Sequence, residues 1–567
     1  MTYSDLEWSP SGLHSPDAYL LRSCEPDRER ILEHYPAAVA QRLRAEYLAR
    51  FQREPSDATP GALSKIGRVN VWLRDIHRQL KRSRPDVAYN ADEIELRAGI
   101  AADFCLRAGY TGAIGYCLGR GVAPPNGRHM TRESIHARLC DRSWWRRAMR
   151  RTYTRGSENA FRWAGFVHRH AMPYITDDGV KLHKENKQRS RAMLAEMQVV
   201  NEQGELFSVA ELAEKSVSNP KLRRGELMCR VRGFEETAKV ADHAAVFLTM
   251  TAPSCYHARH VSGDANERFR GLAVHAAQRW LAKMWARARA KLARLSIYCY
   301  GIRVVEPHHD GTPHWHALLW TAKHNVDMLC RVIRDHWLSE HADEPGAQEH
   351  RFKRIDIDAT KGSAIGYVSK YVAKSIDGHA VGEDLDEGDQ TGLDGLAAAE
   401  RIEAWARTYG IRQFQQLGGP SVTVWRELRR LRDPLDQGAP EELEKARQCA
   451  EAGQWAEFIA VLGGISRCRR GLVRLFKEPA RAPNRWGEPA PDKIAGVSCN
   501  QRTVRTRVHV WTLIRCFSRR PGASPPDLGP VSITVRDRSD PGEHPPNQQP
   551  PPAMLPAALD RGTSLYE

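Results

Sequence analysis

Glu306-Pro-His-His-Asp-Gly-Thr-Pro-His-Trp-His-Ala-Leu-Leu-Trp320 is the stretch that decides both the fold and the chemistry of this chain. Its apolar end follows a tryptophan that lies between two histidines, which predicts a β-strand. Successive strand side chains point to opposite faces, so His314 and His316 share one face and Trp315 takes the other. Two imidazoles about 7 Å apart along a strand can hold one divalent ion between them.

A third metal ligand is expected, because two neutral imidazoles bind Mg²⁺ or Mn²⁺ poorly and both ions prefer oxygen. Glu306 is the first candidate, since it lies on the preceding arm of a predicted hairpin and brings a carboxylate. His308 or His309 could substitute for it, and the register of the hairpin decides between them. Asp310 is expected to serve the turn together with Gly311.

A second segment, Gly366-Tyr-Val-Ser-Lys-Tyr-Val-Ala-Lys374, has a helical pattern. Tyr367 and Tyr371 are four residues apart, so a helix places both phenols on one face, one turn apart. Lys370 and Lys374 are also four residues apart, so a helix places them together on a neighbouring part of its surface. Taken singly, the histidines could be packing residues, the tyrosines core residues and the lysines a solvated edge. Together, the two segments predict metal-assisted attack of a tyrosine on a phosphodiester.

The two segments resemble those of the HUH endonucleases, in which a His-hydrophobic-His strand binds a divalent metal and a downstream helix carries one or two nucleophilic tyrosines. The closer resemblance is to the replication gene A proteins, the rolling-circle initiators of P2-like phages. It covers about half of the chain and includes further segments at residues 144–147, 216–220, 232–235, 247–254 and 424–428.

This resemblance implies an α+β fold with an HUH core, which is an antiparallel sheet with flanking helices. For the family, this sheet is ferredoxin- or RRM-like, with its helices on one face. It implies metal ligands, for Mg²⁺ or Mn²⁺, at His314, His316 and Glu306, and catalytic residues at Tyr367, Tyr371, Lys370 and Lys374. The lysines would stabilise phosphate or phenolate, or simply contact the DNA backbone.

The predicted function is a phage or prophage replication initiator that nicks one strand of its origin. Tyrosine attack would leave a 5′-phosphotyrosine and a free 3′-OH primer, and the second tyrosine would rejoin the displaced strand. Which tyrosine acts first stays open. The alternatives are an HUH relaxase or transposase, a DNA-binding prophage remnant without cleavage, and a metallohydrolase that forms no adduct.

The expected partner is DNA, either single-stranded or as a locally melted origin, together with the host replication machinery. A host helicase is also expected, because the sequence contains no P-loop: residues 360–363, Thr-Lys-Gly-Ser, lack the leading glycine and the Gly-Lys order. The net charge of +16 favours a polyanionic partner. Residues 141–191 contain 13 Lys/Arg against 5 Asp/Glu, interleaved with aromatic residues. These aromatics are either stacking platforms for unpaired bases or ordinary core residues.

The 12 scattered cysteines form no zinc-finger pattern and predict reduced thiols in a cytosolic protein. The first ten residues do not have the pattern of a secretory signal, and no apolar stretch approaches the ~18 residues of a membrane span. We therefore expect a soluble protein in the cytoplasm of a bacterial host.

Composition shifts divide the chain into five predicted parts. They are a poorly defined segment at 1–60, a helical and basic DNA-binding region at 61–240, the nicking domain at 241–435, a helical segment at 436–478 and a largely disordered Pro/Arg-rich tail at 479–567. Within the nicking domain the predicted order is strand, helix, strand, strand, helix, strand, helix. A long helix is predicted over 264–294, further helix over 396–431, and a mobile acidic loop over 378–395.

Overall fold

The computed structural model describes residues 23–33, 35, 37–54, 64–83, 88, 90–358, 363–376, 395–468, 471–515 and 532–533. The region from residue 61 is largely helical, as predicted, and the described part of the segment predicted to be poorly defined also contains two helices. The described helices of these two parts are α1 (Glu25–Leu32), α2 (Ala37–Arg53), α3 (Lys65–Ser83), α4 (Ala91–Gly119), α5 (Arg132–Leu139), α6 (Arg142–Ala164) and α7 (Asp177–Ala195).

Polar residues at the starts of two of these helices act as N-caps. The side chain of Asn90 accepts hydrogen bonds from the second and third backbone amides of α4, and Asp141 accepts one from Ser143 N at the start of α6. Helix α6 ends at Gly165, whose φ of 89° is the left-handed conformation that glycine adopts without strain. These caps fix the direction of α6, which runs toward the sheet described next.

Two short strands and two helices follow, and the strands are an addition to the predicted helical region. They are β1 (Met197–Val200), β2 (Leu206–Ser208), α8 (Val209–Glu214) and α9 (Pro220–Val240).

The predicted order of elements in the nicking domain is confirmed, with additions. The elements are β3 (His243–Met250), α10 (Val274–Arg294), β4 (Tyr300–Pro307), β5 (Pro313–Ala322), α11 (Val326–Trp337), α12 (Ala347–His350), β6 (Phe352–Asp356), α13 (Ala364–Ile376), α14 (Gly395–Tyr409) and β7 (Phe414–Leu417). Five strands form an antiparallel sheet in the order β6-β3-β5-β4-β7. Two boundaries differ from the prediction: α10 begins ten residues later, at Val274, and β7 interrupts the helix predicted over 396–431.

Helices cover both faces of this sheet, whereas the resemblance implied helices on one face. Trp315 and Leu319 pack into a core with α10, α11 and α14. Their neighbours Leu318 and Trp320 point the other way, into a core with α9 and α13. The central strands carry apolar side chains on both faces, and every residue of β4 is buried. A single layer of helices would therefore leave the apolar side chains of one face exposed to water.

The C-terminal region corrects the prediction of a disordered tail and a purely helical segment before it. Its elements are α15 (Val422–Leu428), α16 (Glu441–Ala452), α17 (Trp455–Val461), β8 (Val473–Glu478), β9 (Lys493–Cys499), β10 (Arg502–Arg505), β11 (Trp511–Arg515) and β12 (Ser532–Ile533). One sheet has the order β10-β9-β8, and β11 joins β12, β1 and β2 in another. The predicted disorder is therefore wrong for residues 479–515, and the predicted boundary at 478 separates β8 from its partner β9.

Several predicted segments lie outside the described residues. They are residues 1–22 and 55–60 of the N-terminal segment, residues 378–394 of the acidic loop, and residues 516–531 and 534–567 of the tail. Among the helices that are described, none combines the length and the apolar character required to cross a bilayer.

Candidate active site

Glu306, His314 and His316 come together because β4 and β5 are antiparallel partners. Glu306 lies directly opposite His314 in the strand register, so both side chains leave the same face of the sheet. All three residues are buried, and one ligand atom from each lies within 4.8 Å of the others. The Nε2 atoms of His314 and His316 are 2.8 Å apart. The hairpin thus converges two imidazoles and a carboxylate on one point.

This arrangement fits a divalent cation. Neighbouring ligands of a six-coordinate ion with bonds of ~2.1 Å lie roughly 3 Å apart, which is close to the separation of the two imidazole nitrogens. A nitrogen and oxygen donor set is suited to Mn²⁺ and is compatible with Mg²⁺. Neither of the other sequence candidates, His308 and His309, belongs to this group of converging ligands, although the ring of His308 lies 4.1 Å from that of His314 at an angle of 34°.

Thr249 holds one of the histidines in orientation. It lies opposite His316 in the pairing of β3 with β5, and its Oγ1 is 3.1 Å from His316 Nδ1. A hydrogen bond at Nδ1 fixes the ring and leaves Nε2 directed at the cluster. Nothing in the local sequence singled out Thr249, because its role depends on which residue of another strand it faces.

The tyrosine helix α13 packs on the face of the sheet that carries the cluster. The ring of Tyr371 lies 4.1 Å from that of His316 and stacks on Phe247 at 5.1 Å. Tyr367, one turn earlier, lies 5.9 Å from Phe247 and is 42% exposed. The two phenols therefore share a helix face, as the spacing predicts, but differ in burial. The side chains of Lys370 and Lys374 lie outside the described part of the structure.

Glu235 of α9 fixes the start of the tyrosine helix. Its Oε2 accepts a hydrogen bond of 3.0 Å from Ser363 Oγ, and its Oε1 accepts one of 3.1 Å from Ala364 N. A carboxylate at a helix N-terminus satisfies otherwise unpaired amides and interacts favourably with the helix dipole. In the same segment, a Cβ on Gly233 would lie 2.5 Å from Trp455 Cβ, so close packing requires glycine there.

The turn of the β4–β5 hairpin is held by a buried ion pair. Arg162, at the end of α6, donates to the Asp310 carbonyl at 2.7 Å and to Thr312 Oγ1 at 2.7 Å, and its Nη2 lies 3.2 Å from Asp310 Oδ2. Asp310 also accepts from Thr312 N at 3.0 Å, which confirms its predicted role in the turn. Burial alone would raise the pKa of Asp310, but the charges of Arg162 and His257 lower it by more, to well below its ordinary range.

Backbone geometry around the turn is equally constrained. Gly311 has a φ of 78°, and a Cβ at this position would lie 2.8 Å from the Tyr174 carbonyl. Tyr174 itself is buried with a φ of 71°, a conformation that is strained for a residue with a side chain. The segment after α6 therefore clamps the hairpin, so the helical region contributes directly to the shape of the site.

Four of the five aromatic residues between 144 and 163 belong to the core, whereas Trp163 is only partly buried. Trp144, Trp145, Tyr153 and Phe161 are all buried, and Trp145 donates to the Leu139 carbonyl. These four residues therefore offer no exposed stacking surface for bases.

The sequence of the chain is similar to those of several phage and prophage proteins. The chain is 36% identical to the replication gene A protein of Escherichia phage 186 over 71% of this chain and 60% of that protein. It is 32% identical to the replication gene A protein of Escherichia phage P2, over 68% and 53% respectively. It is 31% identical to a probable replication endonuclease from a prophage-like region of Salmonella paratyphi A, over 62% and 45%.

These similarities place the chain among phage replication proteins. More narrowly, it belongs to the bacteriophage replication gene A protein family, whose model matches residues 122–379. That range contains the Glu306–His314–His316 cluster and both tyrosines. The chain spans 60% of the length of the phage 186 protein and 53% of that of the P2 protein. No solved structure matches the chain significantly.

Proposed function

We propose that this protein initiates phage DNA replication by nicking one strand of an origin through tyrosine attack on a phosphodiester. The observation that carries the proposal is the contact of Tyr371 with His316, whose Nε2 belongs to the cluster with Glu306 and His314. Similarity to proteins named replication gene A protein and probable replication endonuclease supports it.

The chemistry is an exchange of one phosphodiester for another. The phenol Oη forms a bond to phosphorus while the bond to the 3′ oxygen breaks, and the proton lost by the phenol is balanced by the one gained at the 3′ oxygen. Glu306, His314 and His316 would hold a divalent cation, Mg²⁺ or Mn²⁺, which when bound would supply charge stabilisation at the reacting phosphate. Because tyrosine titrates near pH 10, the phenol has to lose its proton as its bond to phosphorus forms.

The two tyrosines are proposed to act in turn. Tyr371 makes the first cut because its ring contacts a proposed metal ligand, and the more exposed Tyr367 attacks the regenerated origin. Lys370 and Lys374 of the same helix are proposed to stabilise the phosphate or the phenolate. The proposed partners are origin DNA, a host helicase and the host replication machinery, with the bacterial cytoplasm as the site of action.

A denaturing gel tests this proposal. Single-stranded oligonucleotides that tile the encoding genome, labelled at their 3′ ends, are incubated with the protein and Mn²⁺ or Mg²⁺. We expect a labelled species that stays with the protein after boiling, because the fragment downstream of the cut remains on tyrosine. The adduct should require the metal and should be lost in the Tyr367→Phe/Tyr371→Phe double variant.

The single variants test the proposed order, and Tyr110→Phe on α4 is the matched control that removes a phenol far from the cluster. Tyr371→Phe should lose most of the first cut, whereas Tyr367→Phe should still form one adduct but should not produce the joined strand that requires a second cut. Cleavage without an adduct would overturn tyrosine attack in favour of hydrolysis. Binding without cleavage on all oligonucleotides and with both metals would leave a DNA-binding protein.

A further inference from the structure

The outer face of α10 carries a row of basic side chains on the side of the sheet away from the tyrosines. Its inner face packs through Trp280 and Trp285 into the core that also contains Trp315. The exposed residues of the row follow one another at intervals of four: Arg279, Lys283, Arg287 and Lys291. Arg289 and Arg294 are exposed beside them.

The charged residues of α10 are all basic. Its 21 residues include six arginines and lysines and no aspartate or glutamate. Like charges four apart on a helix destabilise it by about 0.2–0.5 kcal/mol per pair, so the row opposes folding rather than assisting it. Among the described residues, Glu340 lies 4.0 Å from Lys283 and 3.7 Å from Arg287, while also accepting a hydrogen bond from Trp280. One shared carboxylate leaves most of the charge uncompensated.

The neighbouring helix extends the same surface. Arg331 and Arg334 are exposed on α11, which packs beside α10. Burial lowers the pKa of His336 on α11, and the charges of Arg287, Arg294 and Lys291 lower it further, while that of Asp335 raises it. The positive potentials of the basic residues on α10 and α11 therefore add at this surface, which favours the binding of a polyanion.

We propose that the outer face of α10 binds the phosphate backbone of double-stranded DNA. At 1.5 Å of rise per residue, the row from Arg279 to Lys291 is about 18 Å long, along which a duplex presents roughly ten phosphates. Both tryptophans of α10 are buried, so its exposed face offers charge without the aromatic surface that single-strand binding uses. Duplex DNA is therefore the nucleic acid that this face fits.

This surface is separate from the tyrosine site. α10 and α13 contribute to different cores on opposite faces of one sheet, so a duplex on α10 does not occupy the space beside Tyr371. The inference consequently does not depend on cleavage, and its test uses binding alone. If the protein nicks DNA, the surface would hold duplex flanking the origin while a melted strand reaches the other face.

The test measures the affinity of the full chain, in EDTA, for a 30-base-pair duplex of random sequence and for a 30-nucleotide single strand. The variant Lys283→Gln/Arg287→Gln/Lys291→Gln removes three charges from exposed positions. Its control, Arg474→Gln/Lys477→Gln/Lys493→Gln, removes three exposed charges from β8 and β9. We expect the α10 variant to weaken duplex binding at least tenfold, and to reduce the slope of log affinity against log salt by roughly 2 to 3.

The control should change duplex affinity less than about threefold, and single-strand affinity should change little in either variant. A charge-preserving variant, Lys283→Arg/Arg287→Lys/Lys291→Arg, should bind duplex like the wild type. Equal losses in the two Gln variants would overturn the proposal, because total charge rather than this face would then determine binding. A loss confined to the single strand would also overturn it.

Discussion

Two tyrosines on one helix face have different surroundings, and this difference has consequences for stability as well as chemistry. Tyr371 is buried between Phe247 and His316, whereas Tyr367 is 42% exposed. The spacing of the two residues is visible in the sequence, but the depth of each is set by how α13 packs on the sheet.

Replacing Tyr371 with alanine should therefore destabilise the protein far more than the same change at Tyr367. We expect Tyr371→Ala to lower the free energy of unfolding by about 3 kcal/mol, because it removes a buried ring and leaves a cavity. Tyr367→Ala should lower it by less than about 1 kcal/mol. Thermal or urea unfolding in EDTA measures both, and equal losses would contradict the packing described for α13.

Thr249 allows a second test of a single residue, because its hydroxyl contacts one of the proposed metal ligands, His316. Thr249→Val keeps the shape of the side chain but removes the bond to His316 Nδ1. We expect the affinity for Mn²⁺, measured by calorimetry, to fall by roughly 10- to 100-fold.

The matched control for that change is Thr251→Val on the adjoining segment, where the hydroxyl donates to the His350 carbonyl. Its Mn²⁺ affinity should stay within about twofold of wild type. If both valine variants bind Mn²⁺ like the wild type, Thr249 does not position His316.

Among the elements, the β4–β5 hairpin is the one whose shape the site depends on most. Its strands and turn are predictable, because alternation, Asp310-Gly311 and the histidine spacing are local patterns. The residue that anchors the turn is not predictable from the sequence. Arg162 lies about 150 residues earlier, and nothing distinguishes it there from the other basic residues of its helix. The short strand β7 was also missed, because four residues between two helices become a strand only by pairing with β4.

The anchor predicts strong coupling between Arg162 and Asp310. Arg162→Met leaves a buried carboxylate without its cation and should cost about 3 to 5 kcal/mol. Asp310→Asn should also destabilise, but the double variant should lose less than the sum of the two, with a coupling of more than about 1 kcal/mol. Chemical denaturation of the wild type, the two single variants and the double variant measures the four free energies of unfolding that this double-mutant cycle requires.

Arg155→Met on the same helix is the control for the loss of an arginine. Its guanidinium donates to the neutral Thr408 carbonyl, so no buried charge is left behind, and we expect a loss of about 1 kcal/mol. Additive losses at Arg162 and Asp310 would show that the ion pair does not hold the turn.

On the scale of the whole molecule, the C-terminal segment joins regions that composition separates. β11 pairs with β1, and β9 pairs with β8. The Arg138–Glu488 and Arg507–Glu427 ion pairs tie the segment to α5 and α15. Proline and arginine content predicted disorder wrongly for residues 479–515, because a partner strand such as β1, more than 300 residues away from β11, leaves no mark on the local sequence.

A chain that ends after residue 478 should therefore be less stable, although it keeps the Glu306–His314–His316 cluster and both tyrosines. It loses β9 and β11, and it leaves Glu427, a buried carboxylate, without the bonds from Arg507 and Thr506. We expect the melting temperature to fall by roughly 5 °C or more relative to a chain that ends after residue 533. In the full chain, Arg507→Met should reproduce part of this fall, because Glu427 is again buried with its charge less well paired. Equal melting temperatures for the two truncated chains would mean that the C-terminal strands add nothing to the stability of the rest.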